Sequence, residues 1–228
     1  MTPDVRRCVV AEATGTALLL ATVVGSGIMA DRLFGGQTGL ALLANSLATG
    51  AVLVALISTF GPISGAHFNP VVTLAVGTAS RVAYIASQTA GAVLGVWAAH
   101  AMFGERIVML SHHARSGPAQ WFSEFVATFG LLAVITAGAR RRADVVPVAV
   151  GTYIAAAYWF TGSTSFANPA VTVARALTDT FAGIRPADVP AFLVAQLLGG
   201  GAAAMLARWL TPVSSAPQSV EIAEKVSV

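Results

Sequence analysis

The chain has 228 residues, of which 56% are hydrophobic and only 10% are charged. Soluble domains are about one quarter charged, so this composition excludes a soluble globular protein, and also intrinsic disorder, a collagen-like repeat and a coiled coil. The 13 Lys and Arg residues are scattered and form no one-sided basic face, so the expected partner is a lipid bilayer and not a nucleic acid.

Long apolar segments predict six membrane-spanning helices, because a helix needs about 20 apolar residues to cross a bilayer. They cover residues 9–30, 39–60, 82–103, 121–139, 145–162 and 189–210. Two shorter apolar segments, 68–79 and 167–177, begin around Asn-Pro and are too short to cross. They are either surface helices or half-helices that enter the membrane from one side. The polar segment 214–228 is expected to be a disordered tail.

Positive charges set the predicted orientation. With the N-terminus inside, eight Lys and Arg residues fall on the cytoplasmic side and five on the other side. The cluster Arg140–Arg142 in a very short loop carries the most weight. We therefore expect a multi-pass protein of the inner (plasma) membrane, with both termini in the cytoplasm.

One pattern occurs twice, at about residues 8–103 and 120–210. Each half has a Glu-bearing helix, an Asn-Pro segment and a Gln-bearing helix; the matching residues are Glu12 and Glu124, Asn69 and Asn168, and Gln88 and Gln196. Because each half crosses three times, the second half is inverted, and inverted repeats place a site near the bilayer midplane. The predicted fold is an all-α membrane protein with six transmembrane helices and two re-entrant half-helices in an inverted 3+3 repeat, forming one domain over residues 1–213.

The two Asn-Pro motifs predict helix starts. An Asn at the N-cap accepts a backbone N–H, and Pro supplies the fixed φ of the first helical position. The side-chain NH₂ groups of Asn69 and Asn168 are then expected to be free to face a lumen, at which both half-helices aim their positive dipole ends. Such a site passes neutral hydrogen-bonding solutes and repels cations and protons. The motifs read Asn69-Pro70-Val71 and Asn168-Pro169-Ala170.

These motifs resemble those of the aquaporin, or major intrinsic protein, family over about residues 8–210. The resemblance rests on the segments 64–73 and 166–172 and on the two helix-borne glutamates. It implies a homotetramer with one pore per subunit, with Glu12 and Glu124 holding the backbone of the Asn-Pro loops. It also implies that His67 lines the cytoplasmic vestibule. Val71 departs from the family pattern, in which Ala is usual.

The resemblance also implies four positions for the narrowest part of the pore. Where water-specific members carry an aromatic residue, this chain has Thr49, and where they carry an Arg it has Val171. Their His corresponds to Ala156, with one residue of slippage possible, and the fourth position is Ser165. These replacements remove volume and one positive charge, so a wide filter is expected. Arg175 is not an obvious substitute, and we expect it to reach the outer face or to pack beneath loop residues.

The predicted function is a passive channel for small uncharged solutes. Expected solutes are trivalent or methylated arsenic and other metalloid hydroxides, glycerol-like polyols and some water. A bacterial subgroup of the family linked to arsenic resistance is similar in carrying an aliphatic residue at the Arg position. No cofactor, metal or enzymatic activity is expected, because no Asp, Glu or Cys stands at metal-ligand spacing from a His and no Ser/His pair is recognisable.

Three alternatives stand beside this function. The first is a general channel for glycerol, urea and water. The second is a coupled secondary transporter, which shares inverted repeats and broken helices but needs an ion-coupling carboxylate at the midplane. The third is a structural member of the family with a closed pore.

Overall fold

The computed structural model describes residues 4–78 and 80–210; the predicted tail at 214–228 and the side chains of Arg140 and Arg141 lie outside what it describes. In this part of the chain all regular structure is helical, which confirms the predicted fold class. The helices are α1 (Val5–Phe34), α2 (Thr38–Ser64), α3 (Pro70–Val76), α4 (Arg81–Phe103), α5 (Pro118–Arg141), α6 (Val146–Phe160), α7 (Pro169–Arg175) and α8 (Val189–Leu210). Short 3-10 turns at Ala143–Val145 and Pro186–Asp188 precede α6 and α8.

Six helices are long and apolar enough to cross a membrane, as predicted, α6 and α8 being counted with their preceding 3-10 turns. The half-helices α3 and α7 have only seven residues each, fewer than the predicted segments contain. For α3 the reason is local, since the chain leaves the helix at Gly77 with φ of 84°, a conformation that glycine adopts at little cost. The protein is therefore a multi-pass membrane protein with two short helices inside the bundle.

The packing of the helices follows the repeat. In the first half α1 packs against α4, and in the second half α5 packs against α8. The helices α2 and α6 pack against each other across the two halves. Large apolar side chains are exposed on the outside of this bundle, among them Leu33, Val82, Phe122, Met205 and Trp209. Such a surface suits lipid and not water.

Glycines set the distance between the paired helices. A Cβ atom built on Gly91 of α4 would lie 2.2 Å from the carbonyl oxygen of Ala13 in α1. The same atom on Gly199 of α8 would lie 2.3 Å from the carbonyl oxygen of Phe125 in α5. Membrane helices approach closely where small residues face each other. The glycine that follows three residues after each repeated Gln is therefore required for backbone-to-backbone contact.

Gly199→Ala should destabilise the protein, because the added methyl group meets backbone that has no room to move. Overpacking of this kind costs about 1–3 kcal/mol, and we expect the thermal unfolding midpoint in detergent to fall by several degrees. Gly201→Ala is the matched control, since nothing lies within 4 Å of a Cβ at that position of the same helix. Equal midpoints for the two variants would contradict the close approach of α5 and α8.

Candidate functional site

A cavity of about 650 Å³ is bordered by residues of both half-helices. Its walls come from α1, α2, α5 and α6 together with α3 and α7. One end, here called the α5–α6 end, is bordered by Ala143 and Asp144, and the other, called the α7 end, by Arg175. Most of the wall between them is aliphatic, including Leu19, Leu53 and Ile154. The bundle thus encloses a mostly apolar passage with a few polar groups at fixed depths.

Asn69 and Asn168 meet at the middle of this cavity. Each caps its half-helix as predicted, because Asn69 Oδ1 accepts the Val71 N–H at 2.9 Å and Asn168 Oδ1 accepts the Ala170 N–H at 3.0 Å. The side-chain amides are less free than expected. Asn69 Nδ2 donates to the Ala167 carbonyl at 2.8 Å, and Asn168 Nδ2 donates to the Phe68 carbonyl at 2.7 Å. Since an amide has two N–H donors, one from each Asn remains for the lumen.

Glu12 fixes the loop before α3. Its carboxylate is fully buried and accepts four hydrogen bonds. Two come from the backbone N–H groups of His67 and Phe68, at 2.9 and 2.7 Å. The other two come from Ser64 Oγ at 2.6 Å and Gln88 Nε2 at 2.7 Å. These N–H groups point to the buried carboxylate and not to water, so Glu12 supplies the acceptors that they require.

Glu124 does the same in the second half. Its two carboxylate oxygens accept the backbone N–H groups of Phe166 at 2.8 Å and Ala167 at 2.9 Å. Gln196 Nε2 donates to the same carboxylate at 2.6 Å and to Thr172 Oγ1 at 2.8 Å. The repeat thus extends from the sequence to individual hydrogen bonds.

Gln88 and Gln196 were noted in the sequence only as markers of the repeat. Gln88 Nε2 also donates to Thr73 Oγ1 at 2.9 Å, in addition to its bond with Glu12. Each glutamine therefore joins a half-helix Thr to the buried carboxylate of its own half. The signal available in the sequence was the matching pair of Gln residues together with the Thr that follows each Asn-Pro motif.

The loops that enter the half-helices have left-handed backbone at non-glycine residues. Ala66, Phe68, Ser165 and Ala167 have φ values of 48°, 46°, 52° and 48°. Each such residue costs of order 1–3 kcal/mol unless its surroundings hold it. The glutamates hold the N–H groups of these loops, and the carbonyls of Phe68 and Ala167 are turned toward the Asn of the opposite half. No glycine marked these positions in the sequence.

His67 lies on the cavity wall between Asn69 and the α5–α6 end. Its ring nitrogen Nδ1 is 3.1 Å from Thr73 Oγ1, and its ring centroid is 5.4 Å from that of Tyr84. Over residues 4–78 and 80–210 there is no group of three or more His, Cys, Asp or Glu side chains able to hold a metal ion. Because His67 borders the cavity, its imidazole is a polar group on the wall of the passage.

Three of the four expected filter residues border the cavity, namely Thr49, Ser165 and Val171. Ala156 does not: its side of α6 is exposed on the outside of the bundle. The residues of α6 on the cavity wall include Val150, Ile154 and Tyr158, spaced four apart as one helix face requires. The expectation for Ala156 is therefore wrong. Tyr158 lies on the cavity wall instead, and its Oη is 3.2 Å from Thr49 Oγ1.

Val71, the departure from the family motif, does not face the passage. It is buried, and a Cβ atom on Gly200 of α8 would lie 2.2 Å from Val71 Cγ1. The branched side chain is accommodated because α8 has a glycine opposite it. Ala170, its counterpart in the second motif, is buried in the same core. Valine in place of the usual alanine therefore adds no side chain to the wall of the cavity.

Arg175 is 2% exposed and borders the cavity at the α7 end. Its Nε donates to the Ala182 carbonyl, so of the two expected placements it takes the one beneath loop residues. Its guanidinium carbon lies 3.4 Å from the centroid of the Phe166 ring. The sequence missed Phe166 as a cavity residue. A charged group thus borders a passage whose filter was predicted from the sequence to be wide and to lack a positive charge.

The α4–α5 loop is fastened to the segment after α7 at the same end. The Ser111 N–H donates to the Ala176 carbonyl at 3.0 Å. The His112 N–H and ring Nδ1 each lie 2.8 Å from an oxygen of Asp179. The backbone and side-chain hydrogen bonds from His112 lower the pKa of Asp179. The carboxylate is therefore charged at neutral pH and keeps the loop in place.

Six membrane-spanning helices in an inverted repeat, with two half-helices meeting in one cavity, define a multi-pass membrane channel. The family model described as Major intrinsic protein matches residues 1–167 and 142–228. The chain belongs to this family, whose members are solute channels and not enzymes.

Curated relatives agree with this assignment. The chain is 56% identical over 211 residues to the aquaglyceroporin AqpS of Rhizobium meliloti (strain 1021), covering 90% of each protein. It is 28% identical over 216 residues to aquaporin NIP3-1 of Oryza sativa subsp. japonica, covering 89% of this chain and 68% of the relative. It is 34% identical over 129 residues to the probable aquaporin NIP7-1 of Arabidopsis thaliana, covering 54% of this chain and 46% of the relative.

Glu124→Gln should destabilise the second half, because an amide puts a donor where the carboxylate accepts. Hydrogen bonds to a charged group contribute about 1.5–3 kcal/mol each, so we expect a loss of about 2–4 kcal/mol and a lower unfolding midpoint in detergent. Glu105→Gln is the control; Glu105 pairs with the half-exposed Arg32 at 2.7 Å, and such pairs contribute under about 1 kcal/mol. If both variants melt alike, Glu124 does not hold the loop.

Proposed function

We propose that this channel conducts small uncharged solutes larger than water. The candidates are metalloid hydroxides, including trivalent or methylated arsenic species, and glycerol-like polyols, with some water passing as well. The observation that carries the proposal is Val171, which borders the cavity where the family resemblance places an Arg in water-specific members. The relative AqpS is named an aquaglyceroporin, which supports a solute of this size.

The passage suits a solute with a compact apolar side and several hydroxyl groups. Aliphatic residues such as Leu53 and Ile154 cover one part of the wall, against which a carbon skeleton or metalloid atom fits. The spare N–H groups of Asn69 and Asn168 donate to hydroxyl oxygens at the middle of the passage. An ion would lose its hydration in this apolar space without an adequate replacement, and that cost is large.

We further propose that the protein forms a homotetramer in the inner membrane with both termini in the cytoplasm. The family resemblance supports the tetramer, and the distribution of positive charge supports the orientation. Arg142 is exposed at the α5–α6 end, which is then the cytoplasmic mouth. The α7 end faces the opposite side of the membrane.

The second candidate is a general channel for glycerol, urea and water. The relative AqpS is named an aquaglyceroporin, which supports this candidate as much as the first. A coupled transporter is less well supported. The carboxylate oxygens of Glu12 and Glu124 already accept hydrogen bonds from loop N–H groups, so they do not serve as ion-coupling groups. Among the described residues on the cavity wall, the sole carboxylate is Asp144, which lies at the mouth and not at the midplane.

Val171→Arg tests whether this position limits the size of the solute. The long side chain should narrow the passage, so the permeabilities of glycerol, urea and arsenous acid should each fall at least about tenfold while that of water falls less. Stopped-flow light scattering of proteoliposomes and uptake of arsenous acid give the permeabilities.

Val171→Leu serves as the control, because it adds a little volume and no charge. We expect it to retain most of the wild-type glycerol flux. Unchanged permeation of all four solutes by a folded Val171→Arg variant would show that Val171 does not lie at the constriction.

A further inference from the structure

Two arginines converge on one aromatic ring at the α7 end of the cavity. The guanidinium carbon of Arg175 lies 3.4 Å, and that of Arg115 5.1 Å, from the centroid of Phe166. A guanidinium group over an aromatic face is attracted by the electrons of the ring. The ring itself is fixed, because its backbone N–H bonds to Glu124 at 2.8 Å and its edge contacts Phe192.

Both arginine side chains bond to backbone carbonyls. Arg115 donates from Nε to the Gly183 carbonyl at 2.7 Å and from Nη1 toward the Ser163 carbonyl at 3.3 Å. Arg175 donates from Nε to the Ala182 carbonyl. In the described part of the chain, no ion pair includes either side chain. The α7 end of the passage therefore has two guanidinium groups that form no direct ion pair with a described carboxylate.

Arg175 also has hydrogen-bond donors to spare. A guanidinium has five N–H groups, and among the described residues the one bond formed by Arg175 uses Nε. Arg175 borders the cavity, so its free guanidinium N–H groups make a site for oxygen atoms of a solute.

The position of Arg175 follows from the helix. It lies four residues after Val171 in α7, and four residues turn an α-helix by about 400° and advance it by about 6 Å. The two side chains are thus on nearly the same face, and both border the cavity. The positive charge that is absent at Val171 is present about one helical turn further toward the mouth.

We infer that Arg175, supported by Phe166 and Arg115, is the cationic selectivity residue of this channel. It binds the hydroxyl oxygens of an entering neutral solute, and its charge repels cations. The segment at Val171 is left wide and apolar, so charge selection and size selection occur at different depths. This inference rests on the proposed function for the identity of the solute, but not for the exclusion of cations.

Arg175→Met tests the inference, since methionine keeps an unbranched stem and removes the charge. In proteoliposomes we expect its Na⁺ and K⁺ leak to rise at least about tenfold over wild type, while Arg175→Lys stays near wild type. The double variant Val171→Arg with Arg175→Met returns a charge one turn away and should bring the leak back down. Unfolding midpoints in detergent establish that each variant is folded.

Arg115→Gln provides a second measurement that leaves α7 intact, and we expect a leak about threefold above wild type. If Arg175→Met folds and its cation leak equals that of wild type, the inference is overturned. If Arg175→Met does not fold, an Arg115→Gln leak equal to that of wild type overturns it. A wild-type channel that passes neither glycerol nor arsenous acid would instead contradict the proposed function, and the leak comparison would still decide the role of Arg175.

Discussion

The structure depends on satisfying backbone N–H groups in two loops that run, without helix or sheet, at the depth of the membrane. The N–H groups that point away from the passage are buried from water, and each unsatisfied group costs several kcal/mol. Glu12 and Glu124 meet this requirement with ionised oxygens that accept the loop N–H groups directly. Because the carboxylates are fully buried on α1 and α5, each loop is held against the first long helix of its own half. The carbonyls of the same loops are then left to face inward.

That arrangement joins the two halves and locates the passage. Asn69 and Asn168 donate to the carbonyls of Ala167 and Phe68, so each half completes the hydrogen bonding of the other. The half-helices consequently meet end to end, and the cavity passes their junction. Asn69 and Asn168, Val171 and Arg175 all border this passage, and in our proposal they act on a solute at different depths.

The residues that were predictable from the sequence are those with local or repeated signals. Asn69 and Asn168, each followed by Pro, predict where the half-helices begin. The internal repeat matches the glutamate and the glutamine of one half with those of the other. An offset from the motifs was not enough to place the filter residue of α6. Ala156 and Tyr158 are two residues apart, which turns a helix by about 200° and puts them on different sides of α6. The placement of Arg175 depends on the fold of the loop that brings the Ala182 carbonyl to it, and no local pattern encodes that contact.

The central claim is that the cavity is a continuous passage for uncharged solutes. The concentration dependence of the initial glycerol flux into proteoliposomes, with and without a proton or Na⁺ gradient, tests it most directly. We expect a flux that rises linearly with the glycerol gradient and is the same under every ion gradient. Saturation at low glycerol concentration, or accumulation of glycerol driven by an ion gradient, would contradict the claim.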